Sequence, residues 1–385
     1  MNEINVATKA LFNIDKHIDK LVKKIELLNY VNPVNIEQEK EKFYKSKYLT
    51  DPDFKYPTRD FDKFKLHREF FTLPLESIED EKIRNLYEEI IYAYSGLIQC
   101  IETIGEEKKF YYNSLRSFGT PTEQDVENAK FILHFETEDE SEAAFQPKYS
   151  AQQATELFKD YSSRYDFSFN IKESSTMGAI AMVLNNIQTL VLNGNHTFSE
   201  NEMGILTNHE VGVHMVTTMN GLLHSLKIFS HGFPNNEETQ EGLAVFSEYM
   251  SGNLTIKRLK ELAYRVIAVD SLAKGYSFSQ TFRLLHNTYD LEREQAFYIT
   301  TRVHRGGGFT KDYLYLTGLK KIYDYYKSGK DLGLLLTGKV SLEFIDDIQY
   351  LIKNEYAVNA QHITDAYTEN SNTNKTIDFI LENLK

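Results

Sequence analysis

The chain has 385 residues, 41% hydrophobic and 26% charged, an ordinary globular composition with enough apolar material for a large core. Its net charge of −13 argues against nucleic acid or an anionic membrane as the main partner, because both select a basic face. The single cysteine, Cys100, excludes an intramolecular disulfide and a thiolate-rich metal site, and a reducing, cytoplasmic compartment is expected.

The first residues mix charges through their apolar positions, so no signal peptide is expected, and no apolar run approaches the roughly 20 residues of a membrane span. Residues 7–29 place Leu11, Ile14, Ile18, Leu21, Ile25 and Leu28 at three- and four-residue intervals, which predicts an amphipathic helix ended by "VNPVN". A charged helix follows at "EQEKEKFYKSKY", then an irregular wrap carrying two prolines. Asp80 to Glu106 forms a second strong helix, with Ile83, Leu86, Ile90, Tyr94 and Ile98 on its buried side. "FGTPTEQD" is the next break, and it divides an N-terminal helical region (1–120) from the remainder (121–385). Beyond it "KFILHF", "DFSFNIKES" and "TLVLNGN" read as short strands. Ser199 and Glu202 form a capping box that starts a helix through "MGILTNHEVGVH". The rest is mostly helical, interrupted by "SHGFPNNEE" and "RGGGFTKD". The fold class expected is α+β, predominantly helical, with a small sheet.

"HEVGVH" resembles the H-E-x-x-H zinc motif with one residue too many. At about 3.6 residues per turn, His209 and His214 would point roughly 140° apart on a regular helix. A π-bulge, accommodated at Gly212, restores their alignment, and such bulges cluster at functional sites. A catalytic zinc takes three protein ligands and leaves one position open. His224, His231, Glu237, Glu238, Glu241 and Glu248 are the downstream candidates for the third. Glu241 opens an apolar helix beside Gly242, where a second helix can approach closely and a carboxylate needs a partner.

The segments "HEVGVH", "TQEGLAVFSEY", "RVHRGGGFTKD" and "YLTGL" resemble the bacterial QEGLA-motif family, labelled flavohaemoglobin-expression-modulating, a relative of the animal microtubule-associated tyrosine carboxypeptidases. The likeness runs from about Ile4 to the end of the chain and is densest from Phe198 to Leu319. It implies a zincin-like centre in residues 121–385, with one zinc held by His209, His214 and Glu241, and Glu210 as the base. The five-residue His spacing belongs to the family pattern. It also implies carboxypeptidase action on the C-terminus of a peptide or protein.

The cationic stretch around Gly306–Gly308 supplies candidates for holding that terminus. Arg302 and Arg305, then Lys311, fit a terminal carboxylate, and Tyr313 or Tyr315 fits the oxyanion. Two other readings stand beside this one: an aminopeptidase or endopeptidase with the same zinc core, and a metal-binding regulatory protein without turnover. The intact Glu210 speaks against the last, since a structural zinc needs no base.

Overall fold

The computed structural model describes residues 6–23, 25–59, 62–137, 142–175, 177 and 179–385. Its N-terminal part is a run of helices: α1 (Val6–Val22), α2 (Leu27–Val31), α3 (Ile36–Lys45), α4 (Lys63–Phe71), α5 (Glu81–Thr103), α6 (Glu107–Phe118) and α7 (Glu123–Leu133). The single helix expected over 7–29 is broken between Val22 and Leu27. Ile25 and Leu27 are both buried, and at about 100° per residue a continuous helix would point them to opposite sides. Leu28, expected in the core, is instead 37% exposed. The strong helix over 80–106 is α5, capped by Asp80, whose carboxylate accepts from the Ile83 amide.

The strand expected at "KFILHF" is also corrected: its first residues close α7. A reciprocal Thr122–Asp125 capping box starts that helix, and Val126, Ala129 and Ile132 bury one side of it. Helical spacing thus overrides the β-favouring Phe131 and Ile132.

A two-stranded pair joins β1 (Pro147–Tyr149) to β5 (Phe198–Ser199), with α8 (Ala151–Ser162) between them in sequence. A three-stranded sheet has the order β2 (Asn170–Ser174), β4 (Thr189–Asn193), β3 (Ala181–Leu184), with β2 parallel and β3 antiparallel to β4. Phe167 and Phe169, expected in a strand, precede β2; Phe167 stacks on Tyr165, and Phe169 tilts against Phe167. Leu190 and Leu192 of central β4 are fully buried and share a core with Phe158, Phe198, Val211 and Met215. The sheet is thereby fastened to the helix carrying the His pair.

That helix begins at α9 (Glu200–Leu206), continues through Thr207–Met215, and ends as α10 (Val216–Leu223). Next come α11 (Ile228–His231), α12 (Asn236–Met250), α13 (Ile256–Ala273), α14 (Phe278–Arg283), α15 (Arg293–His304) and α16 (Leu314–Lys327). Where α12 crosses α16, a Cβ on Gly242 would lie 2.4 Å from the Gly318 carbonyl, so the helices meet backbone to backbone. This close approach sets the depth at which α12 presents Glu241. The larger hydrophobic core is continuous from Leu11 on α1 to Leu384 and joins the N-terminal helices to α12, α13 and α16.

Candidate metal centre

Ser199 and Glu202 satisfy each other's backbone amides at the start of α9, as the sequence predicts. From Thr207 to Met215 the chain is wound as a π-helix, so the surplus residue of the motif is absorbed where the histidines stand. The wide turn leaves carbonyls to be satisfied from outside. The Gly212 carbonyl accepts from Thr364 Oγ1 at 2.7 Å, and that of His214 accepts from Lys339 Nζ at 2.9 Å. Gly212 is not sterically required, because a Cβ there would meet nothing nearer than 3.4 Å. With the extra residue taken up, the two imidazoles meet edge to face, ring centroids 5.0 Å apart.

Glu241 completes the cluster from α12, and one ligand atom from each of His209, His214 and Glu241 lies within 4.8 Å of the others. Glu241 Oε2 is 3.6 Å from both Nε2 atoms, too far for hydrogen bonds, and this buried oxygen has no hydrogen-bond partner among the described residues. Its other oxygen accepts from Lys311 Nζ at 2.6 Å. Burial opposes ionisation of Glu241, yet Lys311 and the two imidazoles overcome it and hold the carboxyl well below its ordinary pKa. Burial likewise opposes a charge on His209, but Glu241 and Glu248 outweigh it and raise the pKa to about 9. His214, under the same burial, stays below its ordinary value.

Glu248, two turns after Glu241, stands behind His209. Its Oε1 is 2.8 Å from His209 Nδ1. A carboxylate only accepts, so Nδ1 carries a hydrogen toward Glu248 and Nε2 is the ring nitrogen turned toward Glu241. Arg258 grips Glu248 with both arms of its fork, at 3.1 and 3.3 Å, and also bonds Glu261. Arg265 pairs with Glu261 and lies over the Tyr315 ring, which stacks on His209 at 6.5 Å. Truncation as Glu248→Ala is expected to lower stability by about 3 kcal/mol, the low end for breaking a buried ion pair because Arg258 keeps Glu261. Equilibrium denaturation reads this directly, and an unchanged unfolding midpoint and slope would contradict it.

The cluster opens into a cleft of about 2020 Å³. Glu210, 8% exposed, lines it, and its side chain makes no hydrogen bond among the described residues. The residues of β3, an edge of the sheet, form part of the wall. Of the remaining third-ligand candidates, His224 bonds the Thr337 carbonyl, His231 pairs with Asp19, and Glu238 binds Thr317 and Lys321. Glu237 lines the cleft, and burial raises its pKa.

The cationic candidates separate. Arg302 spends its fork on Asp312 and another nitrogen on the Tyr298 hydroxyl. Arg305 lines the cleft at 8% exposure, bonds Asn32 and has no carboxylate partner among the described residues, and its Nε is buried without a hydrogen bond. Burial and repulsion from Arg302 lower its pKa to about 10. Around it, Arg258, Arg265, Arg302 and Arg305 are set against three carboxylates, Glu248, Glu261 and Asp312, which leaves one guanidinium uncompensated. Lys311 faces Glu241, Tyr315 lines the cleft, and Tyr313 turns away to donate its hydroxyl to the Phe118 carbonyl at 2.7 Å. The sequence did not point to Arg258, Arg265 or Lys339, nor to the place of Glu248 behind a histidine. A seven-residue spacing, Glu241 to Glu248 and Arg258 to Arg265, was the available signal, since it puts each pair on one helix face.

A family model described as microtubule-associated tyrosine carboxypeptidase matches residues 41–385. No curated protein matches the chain. A solved structure of a candidate lipoprotein of unknown function from Shewanella oneidensis is similar at 13% identity and a TM-score of 0.41, over 82% of this chain and 73% of that one. No described helix is long and apolar enough to cross a membrane.

Proposed function

This chain belongs to the microtubule-associated tyrosine carboxypeptidase family, and from that premise we propose that it is a zinc-dependent, zincin-like carboxypeptidase acting on a peptide or protein C-terminus. One observation carries the reading: a buried carboxylate oxygen without a hydrogen bond, equidistant at 3.6 Å from two imidazole nitrogens. Lys311 satisfies only the other oxygen, and a buried acceptor atom left unpaired is unfavourable unless a donor or a cation joins it. Donor atoms placed 2.0–2.2 Å from a tetrahedral ion stand about 3.4 Å apart, close to the observed spacing. Two imidazoles and one carboxylate are also a donor set that zinc accepts in catalytic sites. His209, His214 and Glu241 would hold the ion, one per chain.

Bound there, zinc supplies Lewis acidity, polarising a carbonyl and making water acidic near neutral pH. The protein's own groups divide the remaining work. Glu210 takes a proton from the attacking water on its carboxylate and returns it to the departing amine nitrogen. Tyr315 faces the cleft with no hydrogen bond to its hydroxyl among the described residues, so the hydroxyl is available to the developing oxyanion. The edge of β3 suits an extended substrate backbone. Arg305, the guanidinium without an acid, suits the terminal carboxylate; Arg302 does not, because Asp312 occupies its fork.

The test compares free-acid peptides with their C-terminal amides. Loss of a charge-assisted contact costs about 1.5–3 kcal/mol, so Arg305→Ala is expected to lose roughly ten- to a hundred-and-fifty-fold on acids and far less on amides. Equal cleavage of acid and amide by the unmodified protein would rule out the carboxypeptidase. Glu237 in the cleft wall favours one second reading, an aminopeptidase that receives an amine there. Such an enzyme would be indifferent to amidation and sensitive to blocking the substrate's N-terminus.

A further inference from the structure

Lys311 is carried to Glu241 by the loop that precedes it. Gly306 has a φ of 74°, and a Cβ on it would lie 2.5 Å from the Phe110 ring. At Gly307 a Cβ would meet the Glu107 backbone at the same distance. The three glycines therefore let the chain lie flat on α6, as no other residues would. Thr310 then anchors to Ser114, its amide 2.9 Å from the Ser114 hydroxyl, and the next side chain enters the interior. Lys311 is 7% exposed.

Its partner is divided between two neighbours. Glu241 Oε1 is 2.6 Å from the Lys311 ammonium, while Oε2 alone faces the two imidazoles. On the metallopeptidase reading above, on which this rests, we infer that Lys311 is a positioning residue that confines Glu241 to one ligand oxygen. A catalytic metal needs an open position beside its three protein ligands. Without the ammonium, Oε1 is free to swing onto the ion, which adds a protein donor atom and crowds that position. The residue type fits the task. Lysine is a compact point charge that can hold one oxygen, whereas an arginine fork engages both oxygens of a carboxylate. Lys311 is thus withdrawn from substrate binding, since its charge is already committed to Glu241.

The experiment is zinc X-ray absorption on the unmodified and Lys311→Met holoenzymes, with steady-state kinetics on a free-acid peptide. The variant is expected to keep its zinc, gain one oxygen in the metal's first shell, and lose about 10–100-fold in kcat, the range typical of outer-shell partners, with KM little changed. Lys311→Gln, which keeps a polar group should Lys311→Met fail to fold, is expected to shift in the same direction by less. An unchanged first shell would overturn the inference, as would a raised KM at normal kcat, the mark of a substrate-binding lysine. If the unmodified protein takes up no zinc, the metallopeptidase reading falls and this assignment with it. If that protein binds zinc and cleaves while the variant's shell is unaltered, only the assignment falls.

Discussion

Glu210→Gln is expected to leave about one zinc per chain in place while hydrolysis drops by roughly 10²–10⁴-fold, the usual contribution of a positioned general base. Glu210 is adjacent to His209 in sequence but is not one of the three clustered ligand residues, and it lines the cleft. The amide is nearly isosteric with the acid, so the π-helical segment has no reason to rewind. What disappears is the capacity to accept a proton. Metal analysis and peptide digestion on the same preparation separate the two effects. Surviving hydrolysis would show that the base lies elsewhere, and loss of zinc together with activity would show that Glu210 belongs to the metal shell.

Glu241→Ala is expected to weaken zinc binding by more than the roughly 10–100-fold that an outer-shell change brings, because it removes one of the three proposed ligands. No described neighbour is placed to substitute. Glu238 is held by Thr317 and Lys321, and Glu248 is fixed behind His209 by Arg258. The substitution also strands the buried Lys311 ammonium, so unfolding is measured beside metal affinity. His209→Ala and His214→Ala should lose zinc in the same way without stranding Lys311. A competition titration against a chelator measures all three. Full zinc retention by Glu241→Ala would remove Glu241 from the ligand set.

The comparison between the two histidines and the rest of the site shows which information is local. The spacing of His209 and His214, set after a Ser199–Glu202 cap, already called for a widened turn, because 3.6-residue geometry forbids a shared face at that separation. Gly242 beside Glu241 announced a close helix crossing, and α16 meets α12 there. These inferences needed only neighbours a few residues apart. The "KFILHF" strand failed for a reason equally local, since a cap eight residues upstream outweighed β-favouring side chains.

Residues 302–315 behaved differently. Cations and tyrosines gather around three glycines already in the linear sequence. It did not distinguish Arg302 from Arg305, or Tyr313 from Tyr315. Tyr313 and Tyr315 are two residues apart at the start of a helix, so they point to opposite sides, one to the Phe118 carbonyl and one to the cleft. Which side is the cleft depends on how α16 crosses α12. Arg302 is engaged by Asp312, and Arg305 is left without an acid among the described residues, through the packing of α15 and the loop. Lys311 and Glu241 stand 70 residues apart in sequence, yet they form one ion pair. Local chemistry, namely caps, periodicity and the count of residues per turn, was written in the sequence. The partner of each buried charge was settled only by tertiary structure, because electrostatic pairing depends on distance in space and on exclusion of water, and neither is a property of sequence separation.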